Sequence, residues 1–247
     1  MGKVNKYICA FFILGLVYSG NVAFAQNEEG LGYSSEFIWG LNKNTSSGLL
    51  GGFILKKSIA ISDRVFKTFG LEIINLKHRG EQRYSSRRTG NFFIWGKRNY
   101  LYTFRTQYGR DVIIFRKAPQ QGVQVAVMLA GGPSIGLLAP YYIEFSQSQS
   151  NESQSEQYDP NNINHDFQNI LGTGSLFQGL GESKIKIGAN IKVGLSFEFG
   201  AFKSNVTGFE IGFLIDAYTD KINLIPKAEN KAVIPTAFIS LFYGFRR

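Results

Sequence analysis

The stretch Lys184-Ile185-Lys186-Ile187-Gly188-Ala189-Asn190-Ile191-Lys192-Val193-Gly194-Leu195-Ser196-Phe197-Glu198-Phe199-Gly200 decides the fold. Odd positions from Ile185 to Phe199 are apolar, and even positions carry Lys, Gly, Asn, Ser or Glu. A repeat of two residues is the period of a β-strand, whose side chains point alternately to opposite faces. The pattern returns after a short connection: Phe209, Ile211, Phe213, Ile215 and Ala217 share one face, and Gly208, Glu210, Gly212 and Asp216 the other. Strands this long, apolar on one face and charged or glycine-bearing on the other, meet the demands of a barrel wall between lipid and a polar interior.

The same alternation runs along the rest of the chain. Tyr33–Lys43 sets Tyr33, Phe37, Trp39 and Leu41 against Glu36, Gly40 and Asn42, and Asn44–Ser47 reads as a turn. Further strands are predicted over Gly48–Lys57, Val65–Lys77, Asn99–Gly109, Gly122–Phe145 and Ala232–Phe245. A bulge is expected where Ile74-Asn75-Leu76 falls out of phase, and an interruption at Gly131-Gly132-Pro133. With the opening pair the count is eight, which predicts an all-β, antiparallel, up-and-down eight-stranded transmembrane β-barrel.

Both termini bear on the cellular address. Lys3 and Lys6 precede an apolar run from Tyr7 to about Tyr18, and Ala23-Phe24-Ala25 follows, which predicts a signal peptide over 1–25 and a barrel over 26–247. The single cysteine, Cys9, lies inside that apolar run, so disulfides, thiol catalysis and cysteine metal sites are excluded from the mature chain. A mean hydropathy of −0.08 does not oppose a barrel, because alternation hides membrane strands from averaging. Removing Lys3 and Lys6 lowers the formal charge of +9 by two. On a secreted chain that basic balance points to anionic lipopolysaccharide rather than to nucleic acid.

A barrel whose ends both lie in the periplasm puts every other connection outside. The polar 79–98 region, the 147–182 loop and Lys221–Lys231 are therefore expected to be extracellular. Arg79, Arg83, Arg87 and Arg88 cluster in the first of these, and their guanidinium forks suit surface phosphate. Ser146–Gln157 reads as a flexible solvated loop. Phe167, Ile170, Leu171, Leu176 and Phe177 are apolar enough for a short helix or packed loop over the barrel mouth. Arg110, Arg116 and Lys117 make a basic inner connection, which either docks a periplasmic partner or merely stays clear of the membrane.

The eight-strand count resembles the small eight-stranded outer-membrane barrels of Gram-negative bacteria. Ser86-Arg87-Arg88-Thr89-Gly90-Asn91, Arg116-Lys117-Ala118-Pro119 and Gly131-Gly132-Pro133-Ser134 look like a Bacteroidota version of them. Such barrels commonly finish on an aromatic residue; here Phe245 is followed by Arg246 and Arg247. The resemblance implies an outer-membrane location, a monomer and no catalytic motif. The rival is a soluble calyx such as a lipocalin, which also alternates but keeps its apolar face inside. Glycine favours the membrane: Gly188, Gly194, Gly200, Gly208 and Gly212 all fall on the polar face, which suits a crowded narrow lumen.

Candidate chemistry is sparse. The only histidines are His78 and His165. A lipid-modifying or proteolytic barrel would need one near the outer rim beside a serine or an acid, and no spacing singles out such a set. His165 reads as a solvated loop residue, no zinc site is expected, and Gly172-Thr173-Gly174 lacks the lysine of a phosphate loop. No cofactor is implied. Inward-facing charges are predicted at Glu36, Glu72, Arg105, Lys192, Glu198, Glu210 and Asp216. With the last hairpin centred near Ser204, Lys192 faces Asp216 and Glu198 faces Glu210, and Arg105 bridges those two glutamates in a non-conducting core. Three roles are open: a non-enzymatic surface or envelope-organising barrel, an accessory of an envelope assembly or type IX secretion machine, and a lipid-modifying enzyme.

Overall fold

The computed structural model describes residues 34–117, 122–146, 152–175, 178–199 and 205–247. The expected signal peptide lies outside them. The strands are β1 Ser35–Asn44, β2 Ser47–Ser62, β3 Val65–Leu76, β4 Arg83–Ser85, β5 Phe92–Ile94, β6 Asn99–Phe115, β7 Val123–Pro140, β8 Tyr142–Phe145, β9 Gln154–Gln157, β10 Ile170–Thr173, β11 Lys184–Phe199, β12 Asn205–Tyr218 and β13 Val233–Arg246. Eight of them, β1-β2-β3-β6-β7-β11-β12-β13, form a closed antiparallel barrel in which β13 pairs back onto β1. Closure leaves the sheet without a long free edge, which hydrocarbon demands because nothing there can bond an unpaired N–H or C=O.

Alternation decides what each side of the wall meets. Phe213, Leu241 and Ile187 point outward and are 66%, 64% and 63% exposed, while Arg105 and Asp216 point inward and are 1% and 0% exposed. Trp39, Leu41, Phe69, Leu71, Val193 and Ile215 continue the outer apolar belt. A soluble calyx would reverse these faces. The barrel is of the membrane-spanning kind.

The pairing register sets the size of the lumen. A perpendicular row starting at Phe37 passes through Lys57, Phe69, Tyr108, Gly131, Ile191 and Ile215 to Pro235. Phe37 itself pairs with Phe245, ten residues further along β13. That stagger tilts eight strands by about 40° and leaves an interior only wide enough for side chains. Glycine relieves the crowding at Gly194 and Gly212, which pair with each other; a Cβ on Gly212 would stand 2.2 Å from the Val193 carbonyl oxygen.

Two local expectations are corrected. β7 runs unbroken through Gly131-Gly132-Pro133, each residue pairing with β11; the disturbance is on the other side, where pairing with β6 lapses between Arg105–Ser134 and Tyr108–Gly131. Pro133 has no N–H to offer there. An irregularity does fall at Ile74-Asn75-Leu76, but on the neighbouring strand: these residues pair regularly with Thr103, Tyr102 and Leu101 of β6, while β2 shifts register between Ser47, opposite Leu76, and Gly52, opposite Ile74. Ile74 and Leu76 are apolar and inward because the lumen itself turns apolar at this end: they pack with Leu101, Leu138 and Tyr218, and with Ile222 and Leu224 of the last long loop.

The two ends of the barrel differ. At one end β2 and β3 are joined through Asp63-Arg64, and at the other stand the long connections 77–98, 141–183 and 219–232. β4 and β5 form a hairpin, and β9, β8 and β10 form a small sheet with β8 in the middle. Between them lies a second core of Phe93, Tyr141, Ile143, Phe145, Tyr158 and Ile170, with Tyr84, Trp95 and Phe167 packed against it.

Candidate functional site

The barrel interior is the most highly organised polar region of the chain. Next to the loop end, Arg105 of β6 donates from Nε and Nη2 to Asp216 at 2.9 and 2.6 Å, and its Nη1 stands 3.1 Å from Glu72. The guanidinium fork suits this double task because its planar donors meet each carboxylate edge-on. Asn42 Nδ2 also donates to Glu72, and Ser134 Oγ stands 3.4 Å from Asp216. Above them the Thr103 and Tyr218 hydroxyls are bonded at 2.7 Å, where the polar lumen gives way to the apolar mouth.

A middle layer is built on lysine. Lys56 of β2 binds Glu210 and donates to Asp111 at 3.0 Å, and Lys192 reaches the second oxygen of Glu210 at 3.2 Å. Lys192 also lies over the Phe238 ring, 4.4 Å from its centre. At the turn end, Glu198 is held by Lys117, by Arg246 and by Gln124 Nε2 at 3.1 Å, and Arg246 Nε donates to Glu36 at 2.9 Å.

Six carboxylates thus meet five cations across the three layers. The deficit falls on the Arg105 layer, where one cation serves two acids with the help of the neutral donors of Asn42 and Ser134. A buried charge is stable only when paired and bonded, so the groups within each layer depend on one another. Between the lower two layers, a cavity of about 30 Å³ lined by Lys56, Asp111, Ser196 and Glu198 has room for one water.

All seven predicted lumen charges, Glu36, Glu72, Arg105, Lys192, Glu198, Glu210 and Asp216, point inward, but the partners differ from those expected. Asn190 faces Asp216, Ser196 faces Glu210, and Lys192 and Glu198 face Leu214 and Gly208. The β11–β12 register is therefore displaced by two residues from a hairpin centred on Ser204, which lies outside the described residues. The side-by-side glutamates do not occur: Glu198 and Glu210 sit in different layers with their own cations, and Arg105 serves Glu72 and Asp216 instead. Lys56, Lys117 and Arg246 complete the network. Lys56 was detectable as a cation between inward Ile54 and Ser58; Arg246 carries the alternation of β13 one step past Phe245.

Corrections extend to both rims. β6 continues to Phe115, so Arg110 is a strand residue and the inner connection is shorter than predicted. Arg116 Nη2 donates to the Asp63 carbonyl at 2.6 Å, and Lys117 turns inward to Glu198. Ser146–Gln157 is not wholly a loose loop: its end, Gln154–Gln157, is strand β9, while 147–151 lie outside the described residues. His165 is buried rather than solvated, with its ring 4.6 Å from that of Phe145 and its Nδ1 accepting from the Asp159 N–H at 3.0 Å. Ile170 and Leu171 belong to strand β10 rather than to a helix. Arg79, Arg83, Arg87 and Arg88 are all exposed on the 77–98 connection, and Arg83 lies 4.6 Å from the Phe92 ring centre.

Solved structures resemble this arrangement in outline. Ail, the attachment invasion locus protein of Yersinia pestis, aligns over 87% of this chain and 99% of its own at 10% identity, with a TM-score of 0.39. Neisserial surface protein A aligns over 89% and 100% at 12% identity and a TM-score of 0.38. The N-terminal β-barrel domain of Pseudomonas aeruginosa OprF aligns over 87% and 98% at 10% identity and a TM-score of 0.35. The chain itself folds as a closed eight-stranded antiparallel β-barrel with its apolar face outward. No protein-family model and no curated protein matches it, and no ligand or role is carried over from the three structures.

The loop end offers no catalytic constellation among the described residues. His165 Nε2 lies 3.5 Å from Glu156 and 3.3 Å from Asn162 Nδ2, and its ring is enclosed by Phe145 and Tyr158. A general base needs a nitrogen facing the reacting group, and here no ring edge is left for one. His78 accepts from the Gly80 N–H at Nδ1, and its Nε2 is bonded to the Glu229 carbonyl. Nor do the described residues contain a group of three or more His, Cys, Asp or Glu placed to hold a metal. Lys97 is fully buried, with Glu81 accepting at 2.8 Å on both oxygens, and burial lowers its pKa against the pull of that carboxylate.

Proposed function

We propose that the chain is a non-enzymatic, monomeric outer-membrane β-barrel of a Gram-negative envelope, acting as a surface or envelope-organising protein with a closed polar lumen. The three segments that look like Bacteroidota barrels support a setting in that group. The single observation that carries the reading is the interior: three layers of ion pairs fill it, which supports a wall that spans and does not conduct. The loop end, taken as extracellular, makes the contacts. Its ordered aromatic core lifts Arg79, Arg83, Arg87 and Arg88 into the medium, where they meet the phosphates of lipopolysaccharide or an acidic surface partner.

The other two roles lose their footing in the geometry. The basic inner connection that would dock a secretion partner spends Arg116 and Lys117 within the chain. Of the two histidines that could serve an enzyme, His165 is enclosed and His78 has both ring nitrogens bonded to the backbone.

A deletion strain tests the proposal. Loss of the chain should admit large antibiotics that an intact outer membrane excludes, with secretion unaffected. Abolished secretion behind an intact envelope would favour the secretion-accessory role and contradict this one.

A further inference from the structure

The barrel wall has a notch at its loop end. β1 stops at Asn44, which pairs with Phe238, and the turn at Thr45-Ser46 closes on Ala237. β13 begins five residues earlier, so Val233–Thr236 pair with β12 on one side and stand without β1 on the other. Across the gap the chain continues beyond the end of β3 at Leu76, and the Lys77 N–H donates to the Ser46 carbonyl at 2.7 Å. The first hairpin thus ends below both neighbours. Above it opens a cavity of about 270 Å³.

Its lining is divided in a telling way. Ile222, Leu224 and Ile234, part of the apolar mouth core, make the back wall, Val233 and Pro235 continue the outer belt, and Lys77, His78, Arg79 and Lys231 make the rim. Two contacts hold the rim in place: His78 Nε2 is bonded to the Glu229 carbonyl at 3.2 Å, and the Lys77 ammonium lies against Gly48, whose carbonyl accepts from Lys43. The one acid on the lining, Glu229, is 83% exposed in its side chain and stands 3.6 Å from Lys231. Cations therefore outnumber acids on the rim, and Val233 and Pro235 are exposed on the outer face of the wall.

We infer that this notch binds one phosphorylated lipid of the surrounding leaflet, its phosphate held by Lys77, Arg79 and Lys231 and the start of an acyl chain laid against Val233 and Pro235. The inference rests on the membrane-barrel reading above and assigns its anionic partner to a defined place. Free phosphate would satisfy the cations but leave the apolar wall wet; a neutral lipid would cover the wall but leave Lys77 and Arg79 without a counter-charge among the described residues, and Lys231 with only the exposed Glu229. Both needs are met together by a lipid that carries phosphate.

Refolded protein in nanodiscs of phosphatidylcholine, doped with either bis-phosphorylated lipid A or its dephosphorylated form, provides the test, with retained lipid counted by native mass spectrometry. One phosphorylated lipid should stay bound and the dephosphorylated form should not. Combining Lys77→Gln, Arg79→Gln and Lys231→Gln should weaken retention on the order of a hundredfold. The same charge loss at Arg83, Arg87 and Arg88 should leave retention within about twofold, because exposed loop cations contribute little. Val233→Trp, which fills the notch and spares every charge, should also evict the lipid, and millimolar inorganic phosphate should not. Equal loss from the two triple variants, equal retention of both lipids, or displacement by inorganic phosphate would overturn the inference. Gel mobility of the unheated sample separates the two levels: an inserted barrel that retains no lipid overturns the notch alone, and a chain that never inserts removes the barrel reading with it.

Discussion

Replacing Arg105 by alanine should be the most damaging single truncation of a charged side chain in the barrel. The guanidinium is 1% exposed and is, among the described residues, the only cation paired with Glu72 and Asp216, which are themselves 1% and 0% exposed. Its loss leaves two buried carboxylates facing each other, with only the Asn42 amide and the Ser134 hydroxyl as nearby donors. Breaking a buried pair by removing one partner costs about 3–5 kcal/mol, and here two partners are orphaned, so the upper part of that range is expected. Arg105→Lys keeps the charge but cannot serve both acids with a fork, and should cost about 1–3 kcal/mol. Arg105→Met combined with Glu72→Gln and Asp216→Asn should recover most of the loss, because the penalty lies in the uncompensated charges and not in the missing bonds. Urea titration in lipid vesicles, followed by Trp fluorescence and gel mobility, reads all three variants. Arg105→Ala as stable as the parent, or no more costly than Arg87→Ala on the loop, would refute the reasoning.

Three further outcomes follow from the same geometry. Val193→Arg should cost about 2–4 kcal/mol in vesicle folding because Val193 faces lipid, whereas Ser196→Lys, beside Glu210 in the lumen, should fold in better yield; the reverse order would mean that the faces are assigned the wrong way round. Trypsin added to intact cells should cut between Arg79 and Arg88 and leave the barrel in the membrane; cleavage only after permeabilisation would invert the topology. Phe93→Ala should remove about 3–5 kcal/mol of packing from the loop-end core and open the loops to a broad-specificity protease while unheated gel mobility stays that of a folded barrel. A barrel that unfolds with it would show that the two cores are one cooperative unit.

Much of the wall was legible because alternation is a local property. Each residue's face follows from counting along its own strand, and the inward placement of Glu72, Arg105 and Asp216 needs nothing else. Partnership is a different matter, since it depends on register. The register of β11 with β12 turns on a connection, 200–204, whose length and shape no alternation encodes, and a displacement by two residues keeps every side chain on its face while changing every partner. That is why the charges were found and their pairing was not. Lys117 and Arg246 escaped for a related reason: they follow the last clear apolar residue of a strand, where a continuing strand and a trailing end look alike in sequence. The loop-end core was beyond reach altogether. Phe93, Tyr141, Tyr158 and Phe167 come from two long connections without any common period, and only their meeting above the barrel makes a core of them. His165 looked solvated among Asn and Asp for the same reason.

The central claim is a membrane-spanning wall around an interior closed by its own ion pairs. Conductance in planar bilayers tests it most directly, with insertion verified on the same preparation. The inserted protein should give no steady current, since Arg105, Lys56, Lys192 and Arg246 with their carboxylates block the axis at three levels. A steady ohmic conductance through the unmodified barrel would contradict the account.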